Sequence, residues 1–300
     1  MDRRAAWVLG IVFGGMFISL FGFLLVMYFA VKSDASDSDG GGGSDKVGVI
    51  EVSGTIMDSK RTLKELNKFA EAEHIKAIVL RIDSPGGAVG PSQEIYDAIK
   101  RIKAKKKIVA SMGSLAASGG YYIACATDKI YANPGTLTGS IGVIMEMPNV
   151  QGLLKWAGVD MNTIKAGKMK DSGSPFREMT PEERAYFEGM LADVHAQFIE
   201  AVAQGRKLTV EEVTPLADGR VFSGRQAKEV KLVDELGGIE AAIAEAGKLG
   251  GITGEPKTEY PKKDKKFLRE LMGDEEEAAS YASEVLGKLA GVSMQYRMAP

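Results

Sequence analysis

Cysteine is almost absent: Cys125 is the only one in 300 residues. The chain therefore cannot close an internal disulfide, and a zinc site built on cysteine thiolates is excluded. Histidine is nearly as scarce. His74 and His195 stand alone, neither in a spacing such as HExxH, so metal-dependent hydrolysis is poorly supported. An excess of positive charge is missing as well. Lys and Arg number 38 against 40 Asp and Glu, a net charge of −2, which leaves no basic footprint for nucleic acid. No internal repeat is visible.

One stretch lacks charge altogether. From Ala5 to Val31 the sequence AAWVLGIVFGGMFISLFGFLLVMYFAV carries no charge over 27 residues. As a helix it would reach about 40 Å, against a hydrocarbon core of about 30 Å. It is too long for the apolar part of a signal peptide, and MYFAVKSD is a poor cleavage site, so an uncleaved anchor is expected. Arg3 and Arg4 precede it, whereas Lys32 is followed by Asp34, Asp37 and Asp39. That asymmetry puts the N-terminus in the cytoplasm and everything after Lys32 outside. The next segment, KSDASDSDGGGGSDK, is a flexible linker by composition with a typical span of roughly 20 Å, so the soluble part stays near the bilayer. The expected organisation is an anchor at 1–31, a linker at 32–46, a globular domain at 47–254 and a charged tail at 255–300.

Within the globular part, strand-like and helix-like segments alternate. Val47–Val52, Ala77–Ile82, Lys107–Met112 and Lys129–Ala132 read as strands, with a further strand expected at Ile141–Met145. Thr62–Glu73, Gln93–Ile102, Ser118–Ala126, Pro181–Gln204 and Ile239–Leu249 read as helices, the fourth opened by the capping sequence Thr180-Pro-Glu-Glu. Such alternation predicts an α/β fold of βαβ units with a mainly parallel sheet. Sites in such sheets lie where strands end and helices begin.

Two turns draw notice. DSPGG, Asp83 to Gly87, exposes main-chain N–H groups with no side chain in the way, as an oxyanion hole requires. GSLAASGGYYIA, Gly113 to Ala124, gathers seven small residues before two tyrosines. Ser114 is placed at the strand end, as a cap or turn former. Ser118, between Ala117 and Gly119, could stand clear at a helix start, where the N–H of Gly119 would join that of Gly87. The same run also suits close helix packing. A nucleophilic serine needs a base. Neither histidine sits at a strand-to-helix turn, which leaves the lysines of TIKAGKMKDSGSPFR, namely Lys165, Lys168 and Lys170. A lysine serves as base only where its surroundings lower its pKa by several units.

In this order DSPGG, GSLAASGGYYIA, TGSIGV, IKAGKMKDSGSPFR and GRVFSGRQAKEVKLVDELGG resemble the signal peptide peptidase A family of bacterial membrane-bound serine proteases, from about Val47 to Leu249. The resemblance implies the ClpP/crotonase fold class and a serine–lysine dyad. Its nucleophile falls on Ser118, its general base on Lys170, and its oxyanion-hole glycines on Gly87 and Gly119. The serine that helps hold the lysine falls on Ser140. It also implies a ring of identical subunits in which serine and lysine meet across a subunit boundary, with no metal or cofactor. The substrates implied are remnant signal peptides and unfolded membrane-associated polypeptides, cleaved outside the bacterial inner membrane. Ala166 stands where the family often has serine, and Lys231 where it often has glycine before LVD. Lys168 adds a charge two residues from Lys170. Two other readings remain open: a crotonase-type acyl-CoA enzyme, which would need cytosolic CoA, and a non-catalytic membrane scaffold of the same fold.

Overall fold

The computed structural model describes residues 45–261 and the backbone of Met294–Arg297. The expected anchor at 5–31 and nearly all of the linker lie outside the described residues. Among the described residues, no helix is long and apolar enough to cross a membrane.

Strand and helix alternate as β1 (Lys46–Ser53), α1 (Lys60–Glu71), β2 (Ile75–Ser84), β3 (Gly86–Ala88), α2 (Val89–Lys103), β4 (Lys107–Ala117), α3 (Gly119–Cys125) and β5 (Lys129–Ala132). After them come β6 (Leu137–Gly139), β7 (Ile144–Met145), α4 (Gln151–Trp156), the long α5 (Pro181–Arg206) and α6 (Val210–Val213). The series closes with β8 (Val221–Ser223), α7 (Gly224–Glu229), β9 (Glu235–Leu236), α8 (Ile239–Leu249), β10 (Lys257–Glu259) and β11 (Met294–Arg297).

The main sheet runs β10-β1-β2-β4-β5-β9, parallel at every pairing, as the alternation requires. Successive side chains point to opposite faces of a strand. Val47, Val49, Ala77, Val79 and Val109 therefore face α8, packing with Ala242 and Ala246. Ile50, Ile78, Leu80, Ile82 and Met112 face the other way, where Leu66 and Phe69 of α1, Ile95 and Ile99 of α2, and Phe198 of α5 cover them. Each fully buried Ile or Leu there contributes about 1.5–3 kcal/mol. With both faces covered, function is left to the strand ends.

Those ends differ from the sequence expectation in two places. Between the pairs Ile82↔Met112 and Ser84↔Ala116, β4 carries three residues against Asp83 alone. The Asp83 carboxylate fills this bulge, accepting the N–H groups of Ser114 at 3.4 Å and Leu115 at 3.2 Å. Ser114 is thus inside β4, not at its end, and the strand continues to Ala117. The strand expected at Ile141–Met145 is shortened to β7, Ile144–Met145. An unexpected strand, β6, precedes it; β6 extends the sheet beside the far end of β4, pairs with β8 in antiparallel fashion, and ends where Gly139 (φ 79°) and Ser140 (φ 49°) turn left-handed in succession. β7 joins a separate small sheet of order β3-β11-β7.

Candidate active site

Where β4 ends, Ser118 takes φ 53° and ψ −119°, and α3 starts at the next residue. A non-glycine residue held there is strained by about 1–3 kcal/mol and persists only when its surroundings fix it. Two bonds do so: Ser118 N–H donates to Gly139 O at 2.8 Å, and Ser118 O accepts from Tyr122 N–H at 2.8 Å. The helix behind it is anchored along its whole length. Tyr121 is fully buried with its hydroxyl on Leu232 O at 2.8 Å, and Tyr122 packs between Tyr96 and Phe198. Ser118 itself is fully buried, and its Oγ has no hydrogen-bond partner. The other small nucleophile nearby is inert, since burial pushes the Cys125 thiol up to about 12.

The DSPGG turn lies against this helix start. Ser84 Oγ holds the turn by accepting Gly86 N–H at 3.1 Å, and Ile56 O takes Ala88 N–H at 2.8 Å. Gly87, between them, is pressed so close to Ile56 that a Cβ would stand 2.1 Å from its carbonyl oxygen. A Cβ on Gly119 would stand 3.2 Å from Gly87 N and 2.7 Å from Ser92 Oγ. The two glycine backbones therefore touch beside Ser118. Gly119 opens α3, so its N–H has no acceptor four residues back in the helix. Two main-chain donors brought together next to a strained serine is the arrangement that stabilises an oxyanion during acyl transfer.

The three candidate lysines are separated by their partners. Lys165 Nζ pairs with Asp171 and donates to Lys168 O at 3.0 Å. Lys168 Nζ pairs with Glu182 at 2.5 Å, so its charge is balanced rather than offered to a neighbour. Lys170 is exposed, and its side chain makes no hydrogen bond or ion pair to a described residue. Of the three, only Lys170 has no carboxylate partner among the described residues. No hydrogen bond joins it to Ser118 within the chain, since Ser118 Oγ has no partner.

Ser140, directly after β6, is nearly buried and donates its N–H to Arg220 O at 2.9 Å. It lines a cavity of about 430 Å³ shared with Ile144, Glu188, His195 and Asp218. The sequence reading placed His195 correctly inside the long helix but gave it no part in a site. In the fold it reaches the wall of the Ser140 cavity, with Nε2 enclosed and lacking a hydrogen-bond partner. Its position beside the buried Val194, one turn before the buried Phe198, was the available signal that this helix face turns inward.

Comparison with known proteins matches residues 100–253 to Peptidase family S49 and residues 46–137 to Clp protease. A protease-named protein of Synechocystis sp. is 47% identical over 209 residues, covering 69% of this chain and 75% of that protein. A protein of Enterococcus faecium named for signal peptide peptidase is 34% identical over 248 residues, covering 78% of this chain and 72% of its own. Protease 4 of Salmonella typhi is 36% identical over 213 residues, which is 68% of this chain but 34% of that larger protein.

Proposed function

The chain belongs to peptidase family S49, and from that premise we propose that it is a membrane-anchored serine endopeptidase working through a serine–lysine dyad. The observation that carries this reading is the buried, left-handed Ser118, its Oγ unpartnered, beside the contact between Gly87 and Gly119. Ser118 Oγ attacks the peptide carbonyl while Lys170 Nζ takes its proton. The developing oxyanion is held by the N–H groups of Gly87 and Gly119. Lys170 then returns the proton to the leaving amine, and water hydrolyses the acyl-enzyme by the same exchange. Ser140 orients the lysine. No metal or cofactor takes part.

A peptide as substrate is supported by the chain itself. The backbone of β11 lies between β3 and β7, antiparallel to both, with Tyr296 opposite Gly87. An extended peptide can therefore pair along the strand that carries a hole glycine. A ring of identical subunits is supported by the segment leading to Lys170. Trp156 is 85% exposed, Ile164 is fully exposed and Leu153 is 61% exposed, an apolar surface of the kind a monomer seldom leaves bare. A ring arises when a head-to-tail interface closes, and it would bring the neighbour's Lys170 to Ser118. With 5–31 as the anchor, 47–254 as the peptidase domain and the N-terminus cytoplasmic, the site faces the outside of the bacterial inner membrane. There it meets apolar peptides such as remnant signal peptides.

The purified protein should degrade an unfolded protein, and Ser118→Ala should lose at least about 10³-fold in rate while unfolding at an unchanged temperature. Proteolysis retained by a folded Ser118→Ala chain would overturn the reading.

A further inference from the structure

Lys170 lies on a stretch without helix or strand, between the end of α4 at Trp156 and the start of α5 at Pro181. A base has to be held within hydrogen-bond reach of the proton it takes, and an irregular loop does not hold anything by itself. Something must fix this one. The next residue, Asp171, is where the fixing occurs.

Arg177 spends every N–H of its guanidinium on this task. Nε donates to Asp171 Oδ2 at 3.0 Å, and one Nη2 hydrogen to Asp171 O at 3.0 Å. The second Nη2 hydrogen goes to Glu183 Oε1. Nη1 donates to Glu183 Oε2 at 2.9 Å and to Glu178 O at 3.0 Å. That makes five bonds for five donors. Glu183 is 3% exposed and belongs to the capping box of α5, accepting Thr180 N–H at 2.9 Å and giving its own N–H to Thr180 Oγ1 at 3.2 Å. The guanidinium therefore ties the residue after Lys170 to the capping box that opens α5. A lysine ammonium, with three donors and no planar fork, could not span both carboxylates and both carbonyls.

The same contacts decide which charges surround Lys170. Besides Lys170, the ionisable groups of the loop are Asp160, Lys165, Lys168, Asp171, Arg177 and Glu178, and those of the first turn of α5 are Glu182, Glu183 and Arg184. Lys165 and Arg177 share Asp171, Lys168 takes Glu182, and Glu183 belongs to Arg177. Asp171 is the carboxylate adjacent in sequence to Lys170, and it is already engaged. Contact with Arg177 holds the Glu183 carboxyl down at about 2, and Arg177 with Lys165 also holds the Asp171 carboxyl below its ordinary value, so both remain charged wherever a peptidase works.

We infer that Arg177 is a positioning residue for the lysine base: it closes the loop that carries Lys170 onto α5 and keeps Asp171 away from that lysine. The inference rests on the proposal that Lys170 is the base. Without the guanidinium, Asp171 is free to pair with Lys170, and a neighbouring carboxylate favours the charged amine.

Initial rates on an unfolded protein substrate, measured against pH for the full-length enzyme, test this. Arg177→Gln should lower kcat about 10- to 100-fold with KM within twofold. Its acid limb should move by about 1 unit toward alkaline pH. Adding Asp171→Asn to that variant should bring the limb back. A merely structural arginine would lower kcat through loss of folded protein and leave the limb in place. Where Arg177→Gln does not fold, Arg177→Lys keeps the charge without the fork and should still lower kcat about tenfold. An unmoved limb in folded Arg177→Gln, or full kcat in Arg177→Lys, overturns the inference. Full activity in Lys170→Ala would instead remove the base assignment on which it stands.

Discussion

At Gly119 the backbone has no room for a side chain, because a methyl group would press on Ser92 Oγ and on Gly87 N together. Alanine there forces apart two backbones whose contact is the proposed oxyanion hole. Gly119→Ala should therefore lower kcat by about 10²–10³, with a far smaller loss in melting temperature. Gly189→Ala, on the exposed side of α5 with nothing within 4 Å, is the matched control and should leave kcat unchanged. A second residue carries strain without an evident use. Lys231 is exposed at φ 63°, just after α7. Its carbonyl receives Arg206 Nε at 2.9 Å, which any residue could do. A left-handed lysine is disfavoured by roughly 1–2 kcal/mol, whereas glycine adds some unfolded-state entropy. Lys231→Gly should raise the unfolding free energy by about 0.5–1 kcal/mol, read as a higher urea midpoint at unchanged activity.

Among elements, β3 is short, and its free edge would be open to any extended chain. In this protein β11 takes that edge, pairing Gln295 with Ala88, Tyr296 with Gly87 and Arg297 with Gly86, while its other side pairs with Ile144 and Met145. It also lies against α3, the helix that begins beside Ser118. A tethered segment competes at an effective concentration on the order of 1 mM. Ending the chain after Ser293, just before β11, should therefore lower the apparent KM for an unfolded protein several-fold at unchanged kcat. Steady-state kinetics of the shortened and full chains decide it; equal KM values would mean that β11 does not compete with substrate.

For the whole molecule the telling feature is that the proposed dyad is not joined within one chain. Among the described residues, Ser118 Oγ is buried without a partner, and the Lys170 side chain is exposed without one. If each site is completed by a neighbour, Ser118→Ala and Lys170→Ala chains should be inactive alone and recover activity when dissociated and reassembled together. Random mixing in equal amounts makes about a quarter of the interfaces competent. Zero recovery in mixed assemblies would place both residues of the dyad in one chain, with Lys170 reaching Ser118 by movement of its loop.

The sequence by itself determined the alternation of strand and helix, and hence the parallel order of the sheet. Periodicity is a local property: Leu66 and Phe69 share a helix face, and Val47 and Val49 share a strand face, before any contact exists. It also determined the capped start of α5, since Thr180 and Glu183 satisfy each other within one turn. Close approach was legible at Gly87 and Gly119 from residue type alone. Tertiary structure decided what depends on partners far along the chain. β4 runs on through Ser114 because the Asp83 carboxylate, 31 and 32 residues away, feeds the N–H groups of its bulge. β7 joined the small sheet through its pairing with β11, far along the chain. His195 reached the Ser140 cavity through the packing of α5 against α3, a placement no helical period specifies. Which of the three loop lysines carry a carboxylate partner was likewise a tertiary outcome, because charge pairing is set by position in space rather than order in the chain.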